Sequence, residues 1–210
     1  MAKLGGRDTF THGRDVTATP RERVLDTADE LFFSVGVHAV GVDRIVAEAG
    51  VARATLFRHF RTKDDLIAAY LERRALRART TLGALRDAHR DDPDRVLAAI
   101  ADVVDDYRDQ PGFRGCEFIN AAAEFADPAH PAHRLAVEHR QWVTDFLAEV
   151  LADIGHDDPT DTARAMMMVR TGALVGASLE LGVADSSLGV LLWNTLARKG
   201  LRGMTGDAVA

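Results

Sequence analysis

Apolar residues recur along this chain every three to four positions, and no strand-length run alternates apolar with polar. Behind Thr19-Pro20-Arg21-Glu22, the residues Val24, Ala28 and Leu31 fall at i, i+4 and i+7, with Leu25 and Phe32 beside them. This is the stripe of an amphipathic helix. Thr19 suits its cap, Pro20 its first position, and Glu22 completes a capping box. Gly36 ends it. A second short helix runs from Val42 to Ala49, with Val42, Ile45, Val46 and Ala49 on one face. Asp43 lies in its first turn, where the helix dipole favours an anion, and Gly50-Val51 closes it. A third helix, Arg53 to His59, follows almost at once. Thr62-Lys63-Asp64-Asp65 caps a fourth, which continues through Leu66, Ile67, Tyr70 and Leu71 toward His89.

Beyond this point the predicted helices lengthen. Asp92-Pro93 opens one that runs to Arg108, and Gln110-Pro111-Gly112 breaks it. A shorter one covers Gly115 to Phe125. Asp127-Pro128 and Pro131 bracket a turn before a long amphipathic helix from His133 to Ile154. Asp158-Pro159 starts another, toward Leu181-Gly182, and Asp185 caps the last, which ends at Arg198-Lys199-Gly200 with cations in its final turn. Residues 1–18 are polar, carry Gly5, Gly6 and Gly13, and predict a flexible tail. The expectation is an all-α chain of about nine helices: a three-helix helix-turn-helix domain over 19–66, then a larger helical domain over 67–205.

Composition narrows the class. The chain is 47% hydrophobic and 28% charged, enough for a core and for solubility, and its net charge is -6. Indiscriminate nucleic-acid binding through global positive charge is excluded, so any DNA contact needs a local basic patch. The single cysteine, Cys116, permits no intramolecular disulfide and fits a reducing cytoplasm. Neither a signal-peptide core nor a membrane-length apolar run is visible. HExxH, GxSxG, CxxC and Gly-rich phosphate-loop motifs are all missing, so an enzyme is not expected and no cofactor is implied.

A local patch is present. In the front third, the helix carrying Val42, Ile45, Val46 and Ala49 braces the next one, Gly50 allows the sharp turn, and Val51 and Leu56 close a small core. That leaves Arg53, Ala54, Phe57 and Arg58 free to enter a major groove. From Arg53 to Lys63 stand Arg53, Arg58, Arg61 and Lys63, with no acid among them. Arg reads guanine edges with paired hydrogen bonds, whereas Thr and Lys mostly hold phosphates. Lys63 adds its charge to the free N–H groups of a helix start. Arg61 reads as a surface charge, and the later run Arg73, Arg74, Arg77, Arg79 as mostly a solvated face.

The segment from Ile45 through Gly50, Arg53, Thr55-Leu56-Phe57-Arg58-His59-Phe60 and on to Thr62-Lys63-Asp64-Asp65-Leu66 resembles the signature of the TetR/AcrR family of transcriptional regulators, and Ala28, Leu31, Phe32 and Gly36 fit that family's first helix. The likeness covers roughly residues 20–70. Departures are Val46 for the usual Ala, Ala52 for Ser or Thr, Phe57 for Tyr, and Val40-Gly41 for a small polar pair. By resemblance, DNA contacts come from Arg44, Arg53, Thr55, Phe57, His59 and Lys63. Arg58 joins them from its place on the helix.

The resemblance also implies that 67–205 senses a small molecule and dimerises. Gly172, Ala173, Gly176, Ala177 and Gly182, then Leu188, Leu191, Leu192 and Leu196, fit a close helix seam between two subunits, and a palindromic operator on double-stranded DNA demands two reading heads. Candidate pocket residues for a partly apolar effector are Phe113, Cys116, Phe118, Ile119, Phe125, Trp142, Phe146, Met167 and Met168, since Met and aromatic side chains make adaptable walls. His130, His133, His139, Glu124, Glu138 and Asp127 match no tight metal-ligand spacing, so no metal is expected.

Overall fold

A computed structural model describes residues 18–179 and 193–198. Its elements are α1 (Pro20–Val35), α2 (Val42–Ala49), α3 (Arg53–His59), α4 (Lys63–Ala88), α5 (Pro93–Arg108), α6 (Glu117–Glu124), α7 (Pro131–Asp153) and α8 (Pro159–Ser178). Residues 193–198 are also helical, and there is no strand among the described residues. The all-α expectation therefore holds. Residues 1–17 of the tail expected over 1–18, the expected cap at Asp185, and the expected seam residues Gly182, Leu188, Leu191 and Leu192 lie outside the described residues. No helix among those described is long and apolar enough to cross a membrane.

The chain divides into two compact units. One takes the described residues up to Leu76 together with Asp109–Val137, and the other takes Arg77–Arg108 and the residues from Glu138 onward. A cut of the sequence after residue 66 thus differs from the spatial grouping, in which α6 and the start of α7 join the N-terminal helices.

In the first unit, α1 begins on a reciprocal cap. Thr19 donates its N–H to Glu22 Oε2 at 2.7 Å, and Glu22 donates its N–H to Thr19 Oγ1 at 3.3 Å. The expected stripe is buried: Val24, Leu25, Ala28, Leu31 and Phe32, with Phe33 added. Tyr70 of α4 is buried as well and meets Phe32 edge-to-face, ring centroids 5.5 Å apart. Its hydroxyl has no hydrogen-bond partner among the described residues, and burial, first of several causes, pushes the phenol pKa up.

An ion pair lies inside this unit. Arg74 of α4 and Asp29 of α1 are 7% and 6% exposed, with Nε donating to Oδ1 at 2.6 Å. Arg73 reaches the same carboxylate at 3.0 Å, donates to the Leu25 carbonyl at 2.7 Å, and pairs with Asp26. The Arg74 guanidinium also sits 4.5 Å from the Phe33 ring centroid. Burial works against the Arg74 charge, but Asp29, foremost among its neighbours, outweighs that and holds the pKa above the usual arginine range. Within the run Arg73–Arg79, the first two arginines are accordingly not solvated, whereas Arg79 is exposed. The first two clamp α1 to α4, and Arg79, in the second unit, lies 5.4 Å over the ring of Trp142.

The second unit has its own core: Leu82 of α4, Val96, Leu97 and Ile100 of α5, Val143, Phe146, Leu147, Val150 and Leu151 of α7, Ala163, Met166 and Met167 of α8, and Trp193 and Ala197. Trp193 donates its indole N–H to the Leu97 carbonyl at 3.1 Å. On the outside, Arg86 joins α4 to α7 through Glu149 at 2.6 Å and Asp153 at 2.7 Å. His139 of α7 is 4% exposed. Burial, then the nearby charges of Arg170 and Arg79, lowers its pKa to about 3.

Arg74→Ala leaves the Asp29 carboxylate buried without its main partner, and should lower the unfolding free energy by about 3–5 kcal/mol in denaturant titration. Arg90→Ala, which removes a pair with Asp87 at 77% and 73% side-chain exposure, should leave it nearly unchanged. Equal effects would contradict the buried clamp. For His139, the unfolded chain takes up a proton near pH 6.5 that the folded chain refuses until about pH 3. Stability is therefore full above that window and declines through it as pH falls, by about 2 kcal/mol at about pH 5. His139→Gln should flatten that slope in thermal melts taken across the window.

Candidate nucleic-acid interface

Between α2 and α3 the chain turns at Gly50, whose φ of 63° and ψ of 41° are left-handed, a region a Cβ disfavours. Val51 then donates its N–H to the Val46 carbonyl at 3.1 Å. Helix α3 starts at Ala52, which offers no side-chain cap. The Ala52 carbonyl accepts from Thr55 and Leu56 instead, at 2.8 and 3.2 Å. Ile45 of α2 and Leu56 of α3 are both 0% exposed, and Phe60 is buried just behind them. With Leu56 turned inward, the opposite face of α3 points outward. Arg53, Ala54, Arg58 and His59 are exposed, Thr55 and Phe57 half-buried, and Arg44 of α2 exposed.

Lys63 stands at the start of α4, half-buried. Thr62 and Asp65 cap that helix reciprocally, each backbone N–H donating to the other's side chain at 3.0 Å. Burial lowers the Lys63 pKa, and Asp64 and Glu124 pull it partly back. The predicted contact residues thus share one outward region of the first unit, spread over α2, α3 and the start of α4.

Two acids that sequence reasoning did not assign stand against these cations. Arg53 Nη1 pairs with Asp43 of α2, and its guanidinium lies 5.3 Å from the centroid of the Phe57 ring. Arg44 pairs with Glu48, one turn on, at 2.7 Å. The second pair was legible as an i, i+4 spacing. The first spans ten residues across the turn, and no local spacing rule covers it.

A further group fastens α6 to the N-terminal helices. Glu124 accepts from the backbone N–H of His38 at 2.9 Å and lies 2.6 Å from its Nδ1. Phe125 stacks on His130 at 4.0 Å, and its carbonyl lies 2.8 Å from His133 Nδ1. His130 in turn lies 3.5 Å from Asp64. At Gly36, φ is 104° and an added Cβ would come within 2.8 Å of Arg114 Nη1, so glycine admits the Arg114 side chain there. These histidines and acids serve as junction contacts. Among the described residues no group of three or more His, Cys, Asp or Glu could hold a metal ion.

The profile for bacterial regulatory proteins of the tetR family matches residues 24–70, from α1 into α4. SCO4454, a TetR-family transcriptional regulator from Streptomyces coelicolor, is 41% identical and superposes with a TM-score of 0.81 over 86% of this chain and 95% of its own. The chain belongs to the TetR family of transcriptional regulators. As such it is a DNA-binding regulator and not an enzyme. The HTH-type transcriptional regulator Rv1255c of Mycobacterium tuberculosis is 28% identical over 162 residues, covering 77% of this chain and 75% of its own. The HTH-type transcriptional activator FasR of Mycolicibacterium smegmatis is 42% identical over 53 residues, 25% of this chain and 24% of its own.

In this TetR-family chain the candidate pocket residues fall into both units. Phe113, Cys116, Phe118, Ile119 and Phe125 belong to the first, where Cys116 and Phe118 are buried and the others half-buried. Trp142, Phe146, Met167 and Met168 belong to the second. Phe146 and Met167 are packed core, with Trp142 stacked on Phe146 at 5.4 Å. Met168 differs from the rest: it is 65% exposed on the outer side of α8. A separate cleft inside the first unit is lined by residues such as Phe32, Tyr70, Arg114, Asn120 and Glu124, and by none of the nine candidates.

Lys63→Ala provides a test of the interface. Binding to duplexes of any sequence should weaken to a similar degree, and the slope of log affinity against log salt should become shallower by about 1, as measured by fluorescence anisotropy at several salt concentrations. A loss confined to one sequence, with the slope intact, would assign Lys63 to base reading instead.

Proposed function

We propose that this regulator is a homodimeric repressor which occupies a palindromic operator and leaves it when a small, partly apolar effector binds. The observation that carries the reading is the outward face of α3: Arg53, Ala54, Arg58 and His59 exposed, on a helix held from behind by Leu56 at 0% exposure. Residues 19–66 then form the reading head. Arg44, Arg53, Thr55, Phe57, Arg58 and His59 meet bases and backbone, and Lys63 meets a phosphate. The duplex being its partner, the protein works in the cytoplasm.

Dimerisation rests on α8. Met168, Val175 and Leu179 are 65%, 40% and 60% exposed and fall on one stripe with Gly172, whose added Cβ would meet nothing within 4 Å. Single large apolar residues on a surface are ordinary, but a stripe along one helix face is a packing surface. A bare glycine in its middle lets a second backbone approach closely.

Effector sensing belongs to 67–205, with wall candidates Phe113, Cys116, Phe118, Ile119 and Phe125 in the first unit and, separately, Trp142, Phe146 and Met167 in the second. The chain passes from one unit to the other within α4. That helix would carry a change in effector occupancy to the reading head, and linkage requires operator and effector to weaken each other equally.

The oligomer and its DNA link are testable together. Leu179→Asp combined with Met168→Asp should convert the dimer to a monomer in sedimentation velocity. It should also lower affinity for the DNA upstream of the protein's own gene by about tenfold or more in mobility-shift titrations, because one head keeps half of the contacts. A double variant that remains dimeric would place the interface elsewhere. A wild-type dimer that gives no shift at low salt would contradict operator binding itself.

A further inference from the structure

From the pairing at the α2–α3 turn we infer that Asp43 is a specificity-determining residue: it holds Arg53 for base reading and screens it from phosphates. The inference rests on α3 as the reading helix. Arg53 is gripped from two sides, by the Asp43 carboxylate from the preceding helix and by the Phe57 ring one turn further along its own. Neither contact is buried, since the Arg53 and Asp43 side chains are 56% and 85% exposed. A pair so exposed adds little to stability, so folding does not account for its presence. Its effect is on conformation. The long arginine side chain loses rotamer freedom before the duplex arrives. Asp43 engages Nη1, and the fork of five donors retains others for a guanine edge.

The charge matters as much as the geometry. An unpaired arginine on a helix facing DNA is drawn to any phosphate and strengthens binding to every sequence alike. With an anion alongside, that attraction is largely cancelled, while a bidentate contact to a correctly placed guanine, which depends on geometry, is kept. Asp43 is thus expected to lower non-specific affinity more than specific affinity. Arg58, exposed on the same helix, makes no ion pair among the described residues, so it supplies phosphate attraction without that restraint.

The experiment uses the full-length protein, a duplex selected from a random pool by the wild type, and a scrambled duplex of the same composition. Asp43→Asn keeps the side-chain shape and removes the charge, and an unchanged thermal melt confirms that the fold persists. Affinity for the scrambled duplex should rise about fivefold, with a smaller gain on the selected one, so that the specificity ratio falls about threefold or more. The salt slope on scrambled DNA should steepen by about 1 as Arg53 takes up a phosphate. In an Arg53→Ala background the same substitution should change neither ratio nor slope. A specificity ratio unchanged by Asp43→Asn overturns the inference, as does an effect that persists without Arg53. The reading-helix assignment fails by a different sign: Arg53→Ala alone would then leave binding to the selected duplex intact.

Discussion

Helix α3 has seven residues, too few to hold helical form alone, since isolated helices shorter than about 12–15 residues are marginal in water. Nor does it receive help at its start, because Ala52 offers no side-chain oxygen. What keeps it folded is the burial of Leu56 and the neighbouring Phe60 against the core that also holds Ile45 and Ala49. Every outward side chain on α3 takes its direction from that inward anchor. A left-handed residue at Gly50 sets the angle between α2 and α3, and the anchor fixes the rotation about the axis of α3. The outward face is whatever the anchor leaves over. Here that remainder is basic and free of acids.

The anchor in turn needs a rigid floor. Helix α1 provides it and is itself tied to α4 by the Asp29–Arg74 pair, with Arg73 on the same carboxylate. A buried ion pair is a poor source of net stability, because desolvation consumes much of the attraction. Its value lies in selection: only one register of α1 against α4 brings Asp29, Asp26 and the Leu25 carbonyl to two adjacent arginines. An apolar contact would tolerate sliding, whereas this one does not. Since α4 begins at Lys63, the same register fixes that lysine relative to α3.

Legibility in the sequence followed the range of the interactions. Helices α1 to α3 came out to the residue because their signals are local: a capping box, apolar residues at i, i+3 and i+4, and a glycine where left-handed backbone is needed. Asp29 and Arg74 were not legible as partners. They sit 45 positions apart, and a run of four arginines on a helix reads as solvated until something acidic is known to face it. The Asp43–Arg53 pair crosses a turn and follows no helical spacing. The grouping of α6 with the N-terminal helices was hidden for the same reason, since it depends on Glu124 reaching His38, 86 residues away. In the candidate pocket, Met168 had a composition that suited an interior wall, yet the phase of α8 turns it outward while Met167 turns in.

A regulator of net charge -6 meets a polyanion under general repulsion, and this constrains how its head can be built. Global charge cannot supply affinity, so it has to come from locally concentrated cations, and the stretch from Arg53 to Lys63 is such a concentration. Concentrated cations, however, bind any sequence, and a protein facing a whole genome is judged by the ratio of specific to non-specific binding. The acids beside Arg44 and Arg53 address that difficulty at the surface where it arises. They return part of the electrostatic attraction, which is sequence-blind, and leave the directional part, which is not. In this sense the acidity of the chain and the pairing of Arg44 and Arg53 act in the same direction: both lower the background against which a few oriented contacts have to be recognised.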